Sequence, residues 1–249
     1  MMVLLLLAMQ AAAPSLYQRG VALLEKGQSQ AAVPLLVQAT ERDPKDARTW
    51  KALGVAYAAQ QLYEQAEPAF QHACQLDPNL ADACYYYGRA LYALNRFESS
   101  LETLQLAAKR NADSWQIQLG IAQAQEALGH TADAASAFAK TMSLVGGSDP
   151  KPAVAYGLFL IRQGRTQDAI APLTEILRRF PESLEGHIYL GRALLEQSDA
   201  ADAIPHLEKA LLIDTTSVQA HLLLAKAYVK TGRAPEAQAH FEAASRTVK

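Results

Sequence analysis

A pattern of small, large apolar and turn-forming residues repeats along this chain about every 34 residues, with a single spacing that is one residue longer. Residues 13–249 hold seven such repeats, which start at Ala13, Ala47, Ala81, Trp115, Pro150, Leu184 and Val218. Self-similarity of this kind indicates an array in which each repeat buries its apolar face against its neighbours. We therefore predict one repeat array over residues 13–249.

Two positions of every repeat hold small residues. The twentieth is Ala or Ser. The eighth is Gly or Ala: Gly20, Gly54, Gly88, Ala122, Gly157, Gly191 and Ala225. Because a glycine inside a helix costs about 1 kcal/mol relative to alanine, its recurrence indicates a close contact between helices. We expect the eighth position, on the first helix of a repeat, to face the twentieth position on the second helix.

Two further positions predict packing and helix ends. The twenty-fourth is always large and apolar, and should form a ridge between neighbouring second helices: Leu36, Phe70, Leu104, Phe138, Leu173, Leu207 and Phe241. The fifteenth is glycine or asparagine in five repeats, and these residues favour the left-handed backbone that ends a helix. Gln61 and Ser198 hold this position in the other two, where we expect a poorer end to the first helix.

The second repeat carries the fullest version of the pattern, in Trp50-x2-Leu53-Gly54-x2-Tyr57, Ala66-x3-Phe70 and Pro78. These residues and spacings are similar to the signature of the tetratricopeptide repeat, a helix–turn–helix unit of about 34 residues. The resemblance extends over nearly the whole chain. It implies an all-α fold, a right-handed α-solenoid superhelix of about seven helix–turn–helix units and about 14 helices.

Residues 1–12 precede the array. Their apolar run, Val3–Met9, is too short to span a bilayer as a helix. With the small residues Ala11 and Ala13 behind it, the run favours a cleaved secretory signal, which would place the protein in the periplasm or outside the cell. No Lys or Arg precedes the run, so the alternative is an N-terminal extension that covers the first repeat of a cytoplasmic protein.

The longer spacing falls at residues 145–152, where glycine, serine, aspartate and proline are dense. Such residues favour a turn, and this is where the stack would change its angle. The alternative is a loop that is simply one residue longer than the others.

Composition narrows the classes of partner. The net charge is −2, so the chain lacks the strongly basic balance that is typical of nucleic-acid binding, and no apolar stretch is long enough for a membrane span. We find no Ser, Cys or His arrangement typical of a catalytic site, and no phosphate-binding or dinucleotide-binding motif. We therefore predict a protein that is not an enzyme and needs no cofactor.

Cys74 and Cys84 are the two cysteines of the chain, and their spacing is unlike that of zinc or thioredoxin-type motifs. We expect two buried free thiols. The alternative is a disulfide, because a short turn between antiparallel helices would bring the two residues within reach of each other.

Four histidines recur in register: His187 with His221, and His206 with His240, each pair one repeat apart. Stacked helices about 8–10 Å apart would allow such a pair to converge on a metal ion. Duplication of a repeat explains the coincidence more simply, so we predict no metal site.

The resemblance also implies where a partner binds. In this family the first helices line an inner groove, and extended or helical peptide segments lie along it. Carried onto this sequence, the predicted groove residues are Tyr17, Lys51, Tyr85, Arg89, Tyr92, Leu119, Gln123, Val154, Leu158, Ile188, Arg192, Leu195, Leu222, Lys226 and Val229. No asparagine lies at a ninth position, so the sequence does not support the carboxylate clamp of one subfamily.

The N-terminal part of this set combines tyrosines with cations, which suits stacking and charge-assisted hydrogen bonds. The C-terminal part is apolar and edged by Arg192, Lys226 and Lys230, which suits a segment with apolar anchors and some acidic residues. The alternative is that the apolar residues pack against each other.

We therefore predict a protein–protein interaction scaffold, an adaptor within a bacterial-type envelope or other multiprotein assembly. One alternative is a structural protein that self-associates through its groove or N-terminus. Another is a regulatory subunit of a separate catalytic chain.

Overall fold

The computed structural model describes residues 14–247, without the side chains of residues 81 and 247. The signal-peptide prediction for Met1–Ala13 lies outside the described residues. Within them the chain forms fourteen α-helices and no strand, as the sequence predicted. The helices are α1 (Leu16–Glu25), α2 (Ser29–Arg42), α3 (Ala47–Ala58), α4 (Tyr63–Leu76), α5 (Ala81–Ala93), α6 (Phe97–Arg110), α7 (Trp115–Ala127), α8 (Thr131–Val145), α9 (Lys151–Arg162), α10 (Thr166–Arg179), α11 (Leu184–Glu196), α12 (Ala200–Ile213), α13 (Val218–Lys230) and α14 (Ala234–Thr247).

The chain divides into two compact blocks, and the boundary in the sequence falls between Ala134 and Ala135, inside α8. The N-terminal block contains α1 to α7 and the start of α8, and the C-terminal block contains the rest. A change of stacking angle at residues 145–152 stays a prediction. Within each block, odd-numbered helices are the first helices of the repeats. Four of them, α3, α5, α11 and α13, each pack against the second helices on both sides of them in the chain.

First helices also lie beside one another. In the N-terminal block α1 contacts α3 and α5 contacts α7, and in the C-terminal block α11 contacts both α9 and α13. A row of first helices therefore exposes one shared face in each block, which is the surface that the predicted groove residues should occupy.

The eighth position packs as closely as its glycines predicted. Ser100, at a twentieth position, donates a hydrogen bond from its Oγ to the carbonyl oxygen of Gly88 over 2.7 Å, so these two positions do meet. The prediction of a ridge between second helices was wrong, however. A Cβ added to Gly54 would lie 2.6 Å from the ring of Phe70, so the twenty-fourth residue packs beneath the glycine of its own repeat.

The first helices end in the same way in all seven repeats. The fifteenth residue has a positive φ in each of Gly27, Gln61, Asn95, Gly129, Gly164, Ser198 and Gly232. Gln61 and Ser198 adopt the same left-handed backbone as the glycines, with φ of 61° and 72°, so the geometry of these two ends is regular and their poorer stability stays a prediction. The following amides, of Leu62 and Asp199, bond back to carbonyls five residues earlier, as the Schellman motif requires.

The beginnings of the two kinds of helix differ. Five first helices start behind a side-chain cap, at Ser15, Asp46, Ser114, Ser183 and Ser217. The second helices α2, α4, α6, α10 and α12 have no such bond. A side-chain cap stabilises a helix start by about 1 kcal/mol. The capping residues therefore favour the starts of these five first helices more than those of the second helices.

Cys74 and Cys84 form a disulfide, so the prediction of two free thiols was wrong. The bond joins the end of α4 to the start of α5, and the two Cα atoms are 4.8 Å apart. The short turn at residues 77–80 brings the helix ends together, which was the alternative that the sequence left open.

A residue of α10 forms a hydrogen bond with the loop between α8 and α9. Arg179 donates a hydrogen bond from Nη1 to the carbonyl oxygen of Gly146 over 3.1 Å. Gly147 has a φ of 73°, and a Cβ at this position would displace the same guanidinium group. Among residues 14–247, no helix combines the length and the hydropathy that crossing a bilayer requires.

Candidate protein-binding site

In the N-terminal block, two polar contacts connect neighbouring first helices through predicted groove residues. Lys51 Nζ lies 2.9 Å from Asp82 Oδ2, which connects α3 to α5. Arg89 Nη1 donates to Gln123 Oε1 over 2.7 Å, which connects α5 to α7. The predicted residues therefore do share one face, but the two basic side chains are already engaged by this chain's own polar groups.

Aromatic residues line a cleft beside these contacts. This tyrosine cleft has a volume of about 300 Å³ and is lined by Ala58, Tyr63, Phe70, Tyr85, Tyr86, Arg89, Ala90, Tyr92 and Ala93. Tyr86 stacks on Phe70 with ring centroids 5.4 Å apart, so it belongs to the packing between helices more than to the surface. Burial raises the pKa of the Tyr85 hydroxyl, which keeps it neutral and able to donate a hydrogen bond.

Tyr17 lies in a separate polar pocket at the start of the array. Arg48 sits over its ring, with the guanidinium carbon 5.9 Å from the ring centroid. The pocket also contains Arg42, Asp43 and Asp46. Tyr17 packs against the core of the first two repeats, so only part of its ring is open to a partner.

A large open pocket lies in the C-terminal block between α9 and α11. This α9–α11 pocket has a volume of about 760 Å³, and two predicted groove residues, Val154 and Leu158, form its α9 wall. The rest of its apolar lining is Pro150, Ala155, Phe180, Pro181, Leu184 and Tyr189. Its charged rim is mixed in sign: Lys151, Arg179, Glu182 and Glu185.

The fold buries most of the surface of three predicted groove residues, although one of them, Leu195, still lines an opening between α11 and α13. The exposed fractions are 8 % for Leu119, 4 % for Ile188 and 5 % for Leu195. Ile188 packs against Ala210, Ala220 and their neighbours, and Leu195 belongs to the core between α12 and α13. These side chains therefore hold helices together, as the alternative interpretation of the sequence proposed for part of the set.

The remaining predicted residues lie along α11 and α13. On α13, Leu222 and Val229 are 39 % and 57 % exposed, with Lys226 exposed between them. Beside them a smaller opening, the α11–α13 pocket, has a volume of about 380 Å³. It is lined by Arg192, Leu195, Glu196, Gln219, Leu223, Lys226 and Lys230.

The histidines contact each other within a repeat and not between repeats. The structure joins His187 to His206, with their Nδ1 atoms 3.2 Å apart, and His221 to His240, with theirs 2.9 Å apart. Each pair lies within one repeat, since the second helix folds back against the first. In the described part of the chain, no three His, Cys, Asp or Glu side chains converge as a metal site would require.

Sequence comparison connects this chain to known proteins. It is 30 % identical to Superkiller complex protein 3 of Mus musculus over 115 residues, which are 46 % of this chain and 7 % of that protein. The Homo sapiens protein of the same name is 29 % identical over 96 residues, 39 % of this chain and 6 % of that protein. The chain thus spans less than a tenth of the curated relatives that it matches.

Solved structures share the fold at low sequence identity. A chain of the APC/C hetero-tetramer Cut9–Hcn1 has a TM-score of 0.76 at 18 % identity, over 92 % of this chain and 45 % of that one. A tetratricopeptide repeat protein from Parabacteroides merdae has a TM-score of 0.72 at 14 % identity, over 93 % and 91 %. PilF of Pseudomonas aeruginosa has a TM-score of 0.68 at 19 % identity, over 82 % and 93 %.

Two family models, both described as tetratricopeptide repeat, match most of the chain between them. One matches residues 57–116 and 194–248, and the other matches residues 17–81 and 157–220. This chain belongs to the tetratricopeptide repeat family, whose members bind protein partners and are generally non-catalytic scaffolds.

Proposed function

We propose that this protein is a non-catalytic adaptor that binds a segment of a partner protein along its first helices. The observation that carries the proposal is the α9–α11 pocket, an open volume of about 760 Å³ whose wall contains Val154 and Leu158. Apolar side chains that stay accessible next to polar rims are typical of peptide-binding grooves. An extended or helical segment would place an apolar side chain in this pocket.

The proposed setting is a multiprotein assembly in a bacterial-type envelope. The disulfide between Cys74 and Cys84 supports an oxidising compartment, because such bonds persist outside the cytosol and are rare within it. The apolar run of Met1–Ala13 supports the same location as a secretory signal. Two of the similar proteins, Superkiller complex protein 3 and a chain of the APC/C hetero-tetramer Cut9–Hcn1, are named for multiprotein assemblies, which is in keeping with an adaptor role.

Selection of peptides on the purified protein tests the proposal. A phage library of random 16-residue peptides would be selected on the wild-type chain and on Leu158→Glu, which places a charge in the α9–α11 pocket. Leu212→Glu is the matched control, because Leu212 is 77 % exposed on the second helix α12. We expect wild type and Leu212→Glu to enrich the same peptides, and Leu158→Glu to lose them.

Other outcomes would contradict the proposal. If no peptide is enriched on the wild-type protein, or if both variants lose binding equally, the pocket is not a recognition site. If light scattering shows a dimer that Leu158→Glu converts to a monomer, the pocket serves self-association instead.

A further inference from the structure

Helix α13 exposes a stripe with an unusual composition for a surface. Leu222, Lys226 and Val229 follow one another at spacings of four and three residues, so they lie along one side of the helix. Ala220, Leu224, Ala227 and Tyr228 are buried on the other side. The stripe thus places a cation between two apolar side chains. It is about 10 Å long, because an α-helix rises by about 1.5 Å per residue.

The charges around this stripe are predominantly positive. Helix α13 contains two lysines, Lys226 and Lys230, and no acidic residue. Lys230 donates from Nζ to the carbonyl oxygen of Leu195 over 2.8 Å, a contact that fixes the ammonium group without neutralising it. Lys226 has no ion pair or hydrogen bond within the part of the chain that the structure describes.

The one carboxylate of the α11–α13 pocket is already occupied. Glu196 Oε1 pairs with Arg192 Nε over 2.8 Å, and Glu196 Oε2 accepts a hydrogen bond from Thr166 Oγ1 over 2.9 Å. This carboxylate therefore neutralises Arg192 and leaves Lys226 and Lys230 as uncompensated charges at the mouth of the pocket. Unpaired cations flanked by exposed apolar side chains complement a carboxylate that is likewise flanked by apolar side chains.

The other candidate sites lack this combination. In the tyrosine cleft, Arg89 is bonded to Gln123, and nearby Lys51 is paired with Asp82. The rim of the α9–α11 pocket contains two acidic and two basic residues. A preference for acidic ligands would therefore reside on α13 and not along the whole row of first helices.

We propose that α13 and the α11–α13 pocket bind an amphipathic acidic helix of a partner protein, in which a Glu or Asp lies between two apolar residues. The carboxylate pairs with Lys226 and Lys230, and the apolar residues cover Leu222 and Val229. The inference rests on the proposed function, since it assigns the chemistry of the partner segment that the row of first helices would bind.

The peptide selection tests the inference when it is run on a charge-reversed variant. Lys226→Glu removes an exposed cation that makes no ion pair or hydrogen bond within the described residues, so folding should be unaffected, and circular dichroism checks this. Lys140→Glu, an exposed lysine on α8, makes the same change of charge outside the site. We expect wild type and Lys140→Glu to enrich peptides with an acidic residue between apolar ones.

Binding of an enriched peptide would be measured by fluorescence anisotropy. We expect Lys226→Glu to weaken it about tenfold, and we expect added salt to weaken wild-type binding, because the interaction is between exposed charges. If peptides bind without an acidic preference, and Lys226→Glu leaves their affinity unchanged while Leu158→Glu abolishes it, this inference is wrong and the adaptor function stands. If the wild-type protein binds no peptide, both are wrong.

Discussion

His187 and His206 face each other between α11 and α12 with their Nδ1 atoms 3.2 Å apart. His187 Nε2 lies 2.9 Å from the carbonyl oxygen of Pro181, which can only accept a hydrogen bond, so His187 carries its hydrogen on Nε2. When His187 is neutral, its Nδ1 therefore accepts and His206 Nδ1 donates. His221 and His240 repeat the arrangement in the next repeat.

These pairs make stability depend on pH. Burial, and then the neighbouring histidine, lower the pKa of His206 and of His240 below the ordinary value of 6.5, although Asp202 and Glu208 act in the opposite direction. As the pH falls below that value, the unfolded chain takes up protons before the folded chain does. The contribution of His206 and His240 to the free energy of unfolding is therefore fully present above pH 6.5, and it is lost as the pH falls through the lowered pKa values of the folded state. We expect the melting temperature to decrease between pH 7.5 and pH 5.5.

The double variant His206→Asn and His240→Asn separates this effect from general acid destabilisation. An asparagine amide can still donate to the partner histidine, but it does not titrate. Its melting temperature should fall less steeply over the same pH range, as measured by circular dichroism. An unchanged slope would show that the histidine pairs do not cause the dependence.

The second prediction concerns the ends of α3 and α11. Gln61 and Ser198 have a positive φ, a conformation that costs a residue with a Cβ about 1 kcal/mol and costs glycine much less. We expect Gln61→Gly and Ser198→Gly each to raise the free energy of unfolding by about 0.5–1 kcal/mol in urea titrations. Asn95→Gly is the control, because asparagine tolerates this backbone better and should gain less. An equal gain at all three positions would argue against relief of backbone strain.

The repeat pattern predicted the helices well, because glycine and proline mark helix ends locally and the eighth, fifteenth and twentieth positions recur seven times. It could not predict that Gln61 would adopt the glycine conformation. The backbone there is set by the packing of the helices before and after it, and not by the preference of that residue.

The candidate site was predicted less well, because residues at the same position of different repeats differ in how far they are exposed. Ile188 and Leu222 both hold the fifth position of a repeat, yet their exposed fractions are 4 % and 39 %. Ile188 is covered by Ala220 and Leu223 of α13, whereas no further first helix packs on α13 within the described residues. Exposure thus depends on neighbours in space, which the register of a repeat does not specify.

The third prediction compares two glycines of the N-terminal block. A Cβ on Gly54 would lie 2.6 Å from the ring of Phe70, which is 1 % exposed and is stacked on Tyr86, so the ring has no room to move. A Cβ on Gly120 would lie 3.0 Å from a methyl group of Leu104. Gly54→Ala should lower the free energy of unfolding by about 1–3 kcal/mol despite the better helix propensity of alanine.

Gly120→Ala is the matched control for that change. It gains the same helix propensity, of about 1 kcal/mol, and needs a shift of only a few tenths of an ångström at Leu104. We expect its free energy of unfolding to stay close to that of wild type or to rise. If both substitutions destabilise the protein equally, close packing beneath Gly54 is not the cause.

The fourth prediction concerns the disulfide between Cys74 and Cys84, which joins two consecutive repeats across ten positions of sequence. Closing a loop of this length restricts the unfolded chain and stabilises the folded state by about 2–3 kcal/mol. The variant Cys74→Ser and Cys84→Ser should lose that amount in urea titrations, and dithiothreitol should bring the wild-type protein close to the variant without affecting the variant itself. Protein purified from an oxidising compartment should be unreactive towards thiol reagents in urea. Two reactive thiols under those conditions would contradict both the bond and the envelope location that it supports.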